Sequence, residues 1–313
     1  MRLRVSKCVK WSFIPSVVIL LAGIISMCIF GVNLGIEFSG GTMYTAEMGE
    51  EFDIEKVTEI VRTDINDPTI DVRVSRSEDT QAIIQFQDAH LDGEEQNAVR
   101  ALIEADLKTE YPDFEVMNLE RNGATAGSEL VTNALTAVAI ACVLMLIYIT
   151  LRFEFWSGIA ALIGLLHDVL VMFAVILILR TQINSSFIAA ILTIVGYSIN
   201  NTIVIFDKIR TNKKLISSAF TRTDVADKSV SETLRRTLFT TITTLVMIVL
   251  LYAFGVTAIR EFSLPIIVGL LTGFWSSVML STPIWLWLNK VADASRAKRA
   301  EKKTSRALKR RVR

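Results

Sequence analysis

Five polar side chains stand where apolar ones are the rule, and their types limit the chemistry open to them. Leu166-His167-Asp168-Val169 lies near the middle of an apolar run. A carboxylic acid there can take up and release a proton, and so can the imidazole beside it near neutral pH. A charge at the centre of a bilayer costs ~2.5–3.5 kcal/mol on insertion scales. Such a pair is therefore retained for ion movement, for gating it, or for packing against a neighbouring helix. Asn200 and Asn201 lie in a second run, Gly196-Tyr-Ser-Ile-Asn-Asn-Thr-Ile-Val-Ile-Phe-Asp-Lys-Ile-Arg210. Helical spacing puts Tyr197, Asn200, Asn201, Val204 and Asp207 close to one face. Carboxamides in a span must face other helices or a wet cavity, and they hydrogen-bond without titrating. A third run opens Glu232-Thr-Leu-Arg-Arg-Thr-Leu-Phe-Thr-Thr-Ile-Thr-Thr244. Its Thr233, Thr237, Thr240, Thr241 and Thr244 form a hydroxyl stripe expected to pack inward, with Arg236 near that face and within reach of Asn201. An amide cannot neutralise an arginine, so Arg236 needs a carboxylate from elsewhere, unless it snorkels to the headgroups.

Other chemistries find less support. His167-Asp168 has the composition of a hydrolytic dyad, but no Gly-x-Ser-x-Gly nucleophile motif accompanies it, and its depth argues against water. The chain is read as a non-enzyme. Cys8, Cys28 and Cys142 lie in or near apolar runs and spell neither a disulfide framework nor a metal site. His90 falls in a polar loop and is read as a solvated residue. Asn and Thr oxygens suit a hard cation such as Na⁺ better than a proton, which leaves sodium open as the moving ion.

The elements that must position these groups are membrane spans. The chain is 51% hydrophobic, and its apolar residues gather into six runs, Trp11–Val32, Leu130–Leu151, Trp156–Leu179, Phe187–Phe206, Leu238–Phe254 and Phe262–Leu288. Each approaches the ~20 residues a span requires. The first follows Arg2, Arg4, Lys7 and Lys10 and shows no small-residue cleavage site before Gly31, so it is read as an uncleaved anchor. Between Asn33 and Leu130 there are 7 Lys/Arg against 23 Asp/Glu; elsewhere there are 26 against 9. Basic segments beside spans stay in the cytoplasm. Both termini, the Lys208–Arg236 loop and the tail are thus expected inside, and the acidic segment outside. The tail carries eleven Lys/Arg and is read as a retention signal or a contact to anionic lipid rather than to nucleic acid.

Residues 33–129 read as one small exported domain. Thr42–Glu47, Thr69–Val74, Gln81–Gln87 and Phe114–Leu119 have strand character. Ile54, Val57, Ile60 and Val61 give one helical stripe, and Val99, Leu102, Ile103 and Leu107 a second within 93–111. The order β-α-β-β-α-β is that of the ferredoxin-like split motif, a fold that hosts many functions. The stretch Arg121-Asn-Gly-Ala-Thr-Ala-Gly-Ser128 reads as a loop into the second span. The expected whole is an α-helical bundle of six transmembrane helices with an α+β ferredoxin-like domain between the first (11–32) and the rest (130–289), flanked by cytoplasmic ends at 1–10 and 290–313.

Several stretches resemble the SecF family of the Sec protein-export machinery. The Gly196–Arg210 run is similar to that family's fourth-helix motif, which usually reads Asn-Asp where this chain has Asn200-Asn201. Gly35-Ile-Glu37-Phe38-Ser-Gly40-Gly41 resembles the Gly-x-Asp-Phe-x-Gly-Gly signature of SecD and SecF chains, with Glu37 in place of Asp. Thr-Leu-x-Arg-Thr matches at Arg236. The last span's Phe254-Gly…Ile259-Arg-Glu-Phe-Ser263 and Gly273-Phe-Trp-Ser-Ser277 are also similar, and Gly269 with Gly273 allows close helix contact.

That resemblance implies a bacterial cytoplasmic-membrane subunit of the RND superfamily that works beside SecD. It would use the proton gradient, or sodium, to help unfolded proteins cross, with SecYEG and YajC as further partners and no cofactor. Arg236 is implied to belong to the proton-conducting site. Asn201, standing where Asp could titrate, implies either that the partner's carboxylate serves with Arg236 and Asp168, or that coupling is altered. An RND-type half-transporter of a small amphiphile and a passive assembly factor remain as alternatives.

Overall fold

The computed structural model describes residues 9–67, 70–77, 80–88, 91–217 and 220–311; Cys8 and His90 lie outside them. The apolar helix α1 (Val9–Phe30) is followed by the short α2 (Ile36–Ser39), and Gly40 and Gly41 then turn the chain into strand β1 (Gly41–Glu47). Both glycines have positive φ, +76° and +143°, and a Cβ on Gly41 would fall 2.4 Å from the Phe86 carbonyl oxygen. A side chain at Gly41 would break the strand pairing that starts there.

Strands β1, β2 (Val72–Arg76), β3 (Gln81–Phe86) and β4 (Glu115–Asn122) form one sheet in the order β2-β3-β1-β4, every neighbour antiparallel. With helices α3 (Ile54–Ile65) and α4 (Gly93–Glu110) intervening, this is the strand arrangement of the split β-α-β-β-α-β motif. Asp53 caps α3, and Asp92 with Glu95 forms a capping box on α4, so each helix starts where its orphan N–H groups are satisfied. Alternation along the strands buries Tyr44, Ala82, Ile84 and Phe86 against Val57 and Leu107 of the helices. Ile54 and Leu102, expected in the apolar stripes, are instead 38% and 55% exposed. The helices cover one face of the sheet. The other faces the membrane helices, where Gln182 Nε2 donates to Gln85 Oε1 at 2.9 Å and Thr257 Oγ1 to the Arg76 carbonyl at 3.1 Å.

Asp64 of α3 lies opposite Asp106 of α4. Burial, and then the Asp106 charge, raise its pKa from 3.8 to about 6. The folded domain thus holds this proton more tightly than the unfolded chain does. Its contribution to stability is complete below the unfolded value and is lost as pH rises through the folded one. Amide exchange in α3 and α4, corrected for intrinsic rate, should be faster at pH 7 than at pH 5. Asp64→Asn should abolish that difference; a difference that survives would show that other groups set the pH response.

Six helical segments are long and apolar enough to cross a membrane. After α1 come α5 (Ala124–Arg152), α6 (Phe155–Ile178), α7 (Ser185–Asn212), α8 (Arg222–Phe254) and α9 (Thr257–Ser276). The last of these runs through a π-helical turn, Ser277–Ser281, into α10 (Thr282–Arg311). Half or more of the most apolar stretches of α6, α7 and α9–α10 is buried, against 11%, 6% and 11% for α1, α5 and α8, so the former make the centre. On α9, Cβ atoms at Gly269 and Gly273 would fall 2.4 Å from Ile194 Cγ1 and 3.1 Å from Ser198 Cβ of α7. These two glycines let the helices approach closely.

Four boundaries differ from the sequence reading. The strand expected over 69–74 is β2 at Val72–Arg76, and Thr69 lies outside the described residues. The Arg121–Ser128 loop does not form: β4 runs to Asn122 and α5 starts at Ala124, with Gly123 alone between. Most of the Lys208–Arg236 loop is helical, because α7 continues to Asn212 and Thr221 with Asp224 builds a capping box that starts α8 early. The tail from 290 continues α10 to Arg311.

Candidate functional site

Asp168 is fully buried at the centre of the bundle, and three other helices supply its polar surroundings. Ser198 Oγ of α7 and Ser276 Oγ of α9 donate to its Oδ2 at 2.5 and 2.8 Å. His167 Nδ1 lies 3.0 Å from Oδ1, and His167 Nε2 lies 2.7 Å from Ser16 Oγ of α1. An ionised Asp168 accepts from Nδ1, and the imidazole then accepts from Ser16. A protonated Asp168 allows the reverse, with Nδ1 accepting and Nε2 donating. Either protonation state can be satisfied, so the residues around this carboxyl suit gain and loss of a proton without a rearranged backbone. Ser277 extends the hydroxyls beyond Ser276: its Oγ is 2.9 Å from Thr202 Oγ1 and donates to the Ser198 carbonyl at 3.4 Å.

Asn201, 1% exposed, sits one helical turn beyond Ser198, and its Nδ2 donates to Thr241 Oγ1 of α8 at 3.4 Å. Thr237 Oγ1, on the same buried stripe of α8, finds no hydrogen-bond partner among the described residues. Asn200 does not share this environment. It is exposed on the outer surface, ~100° around α7 from Asn201 and away from the neighbouring helices. Tyr197 is half-buried and its hydroxyl donates to the Thr240 carbonyl at 2.8 Å.

Arg236 stands apart from both clusters. It is exposed, and its guanidinium has no acidic or hydrogen-bond partner among the described residues. The expected Asn201–Arg236 contact is absent, because Thr233, Thr237 and Thr241 occupy the inward face of α8 and turn Arg236 away. Of the threonine stripe, Thr240 is exposed and Thr244 half-buried.

The Gly-Gly stretch lies at the sheet-domain end of the bundle. Phe38 packs against the helical core. Burial, with Glu120 acting in the same direction, pushes the Glu37 carboxyl above the ordinary range, although a backbone hydrogen bond opposes them. Among the described residues no three His, Cys, Asp or Glu side chains gather as metal ligands would.

Of the polar residues marked in the sequence, His167, Asp168 and Asn201 are the ones whose side chains the fold turns into the polar interior of the bundle. Ser16 is an isolated hydroxyl in an apolar run and carries no signal of its own, and Thr202, like Ser198, lies within the Gly196–Arg210 run without a spacing that marks its partner. Ser198 and Ser276 lay inside motifs already noted, yet what they bind emerges only in three dimensions.

A family model described as Protein export membrane protein SecD/SecF, C-terminal, matches residues 102–291, and one described as SecD/SecF GG Motif matches 25–50. The chain is 34% identical to Protein translocase subunit SecF of Sebaldella termitidis, covering 97% of each chain. It is 35% identical to Protein translocase subunit SecDF of Bacillus subtilis, covering 88% of this chain and 37% of that one. Its fold is similar to the crystal structure of SecDF, a translocon-associated membrane protein, from Thermus thermophilus. That match has a TM-score of 0.80 and 28% identity, and it covers 92% of this chain but only 39% of the other.

Proposed function

The chain belongs to the SecD/SecF family of protein-export membrane proteins, and from that premise we propose that it couples an ion gradient to protein export as the partner of a SecD half. The observation that carries the coupling is Asp168, a fully buried carboxyl held by hydroxyls from two helices and by a histidine in turn bonded to a third. Protons are the ion that a single carboxyl with a reversible imidazole partner suits best. Sodium is the alternative, and no cofactor takes part.

The proposed partner follows from two observations. The SecDF relatives contain this chain's counterpart as well under half of their length, so the remainder supplies a second half. Asn200 and Arg236 are exposed on the bundle's outer surface, where a carboxamide and an unpaired guanidinium are costly in lipid. A SecD half packed there would cover both and supply the carboxylate Arg236 lacks. The location would be the bacterial cytoplasmic membrane, with the sheet domain outside and the basic ends inside. SecYEG and YajC would be neighbours, and unfolded protein the cargo.

The test is export into inverted membrane vesicles at fixed ATP, with and without an uncoupler, from cells with and without this chain. The gradient should accelerate export only where the chain is present. Equal acceleration in both, with only translocase abundance reduced, would favour a passive assembly factor, a reading to which the non-titrating Asn201 lends weight.

A further inference from the structure

A cleft of about 730 Å³ separates the open face of the sheet from the membrane helices, and two stretches far apart in sequence meet in it. Glu37 comes from the Gly-Gly stretch and Glu261 from the Arg-Glu-Phe-Ser stretch that opens α9. Asn184 lies between them: its Oδ1 accepts from the Phe187 N–H at the start of α7, and its Nδ2 donates to Glu261 Oε2 at 2.6 Å. Gly35 is what lets Glu37 lie so close. A Cβ on Gly35 would fall 2.4 Å from Glu37 Oε2 and 3.0 Å from Asn184 Cβ.

Neither carboxylate has a cationic partner among the described residues, although two arginines line the same cleft. Arg73 of β2 is spent on Asp71, with both Nε and Nη2 donating to Oδ2 at 3.0 Å. Arg180, in the α6–α7 turn, donates from Nη1 to the carbonyls of Phe30 and Gly31 at 3.0 and 3.2 Å. From β4, Glu120 adds a further negative charge towards Glu37, and on α5 the nearest acid, Glu129, is exposed. A third oxygen is available: Asn33 lines the cleft at 7% exposure, and its Oδ1 has no hydrogen-bond partner among the described residues. Buried polar groups and carboxylates left in this condition call for a ligand.

We infer that Glu37 and Glu261, with Asn33 Oδ1, form a loading site for one small monovalent cation at the sheet-domain mouth of the bundle. The ion is a proton shared by the two carboxylates or a sodium ion held by their oxygens, and both draw on the same charge and the same hard donors. Asn184 is a positioning residue that fixes Glu261 against α7. The inference rests on the ion-coupled reading above, supplying the point where the ion is taken up before it reaches Asp168. Its test reads binding and does not depend on export.

The experiment is amide hydrogen exchange, read by mass spectrometry, on the full chain with its SecD partner in lipid nanodiscs. One arm raises NaCl against choline chloride at constant ionic strength and pH. The other lowers pH in choline chloride, with rates corrected for intrinsic exchange. Exchange in residues 33–41, 183–188 and 257–263 should slow together, about tenfold at ten times the dissociation constant. A response to sodium identifies the sodium form of the site, and a response to acid alone the proton form. Glu37→Gln and Glu261→Gln should each remove the response. Absence of any response in the unaltered protein overturns the site whatever the variants do, and so does a response that survives both substitutions. An intact response here with normal gradient-driven export in Asp168→Asn would leave this site standing and remove the Asp168 reading instead.

Discussion

Asp168→Asn should yield a folded, assembled protein whose export no longer responds to the ion gradient, falling to the rate seen with an uncoupler. The amide has nearly the carboxyl's shape. With its oxygen in the place of Oδ2 it can accept from both Ser198 and Ser276, and its nitrogen, in the place of Oδ1, can donate to an unprotonated His167 Nδ1. What it cannot do is titrate. Asp168→Leu should be far worse, because three polar groups lose their partner in a fully buried site. Each unmet group costs about 1–3 kcal/mol, and the sum approaches the ~5–15 kcal/mol that holds a typical fold together. Pulse-chase export with and without an uncoupler separates the two, alongside the amount of assembled complex. If Asn reduces assembly as strongly as Leu does, Asp168 serves packing alone.

The second large effect is expected at Asn201. Asn201→Leu leaves Thr241 without its partner beside Thr237, whose hydroxyl is already unpartnered. A loss of about 1–3 kcal/mol and a lower thermal midpoint should follow. Asn201→Asp should be tolerated, for a reason that is not Arg236, since that side chain points out of the bundle. A protonated Asp is nearly isosteric with Asn and can donate to Thr241 as Nδ2 does now. Once ionised it can accept from Thr237 and Thr241, as Asp168 accepts from Ser198 and Ser276. Export should then depend more steeply on the gradient, because a second titrating group has joined the bundle. A harmless Leu combined with a damaging Asp would make Asn201 a packing residue.

The six spans, the acidic segment between the first two and the depth of Asp168 were legible in the sequence because they follow from hydropathy and charge, which need no tertiary knowledge. The strand and helix order of the sheet domain was readable from period-two and helical stripes, although Leu102 and Ile54 joined stripes they do not pack with. Asn200 and Asn201 lie ~100° apart on α7, close enough for one face to hold both, as it holds Asn201 with Thr202; which asparagine turns inward depends on the packing of α7, which the spacing does not carry. Arg236 required the rotation of α8 about its axis, which the capping box at Thr221 and the buried Thr233, Thr237 and Thr241 set together. The serines on Asp168 were out of reach for a different reason. Their partner lies 30 residues away for Ser198 and 108 for Ser276 along the chain, and a short polar side chain has no periodic signature.

Infrared difference spectroscopy on the protein with its SecD partner in liposomes, with and without ¹³C-labelled aspartate, tests most directly whether Asp168 takes up a proton during coupling. Acidifying the side that bears the sheet domain should produce an isotope-sensitive band of a protonated carboxyl that Asp168→Asn lacks. A difference spectrum identical in the two proteins would contradict a titrating Asp168.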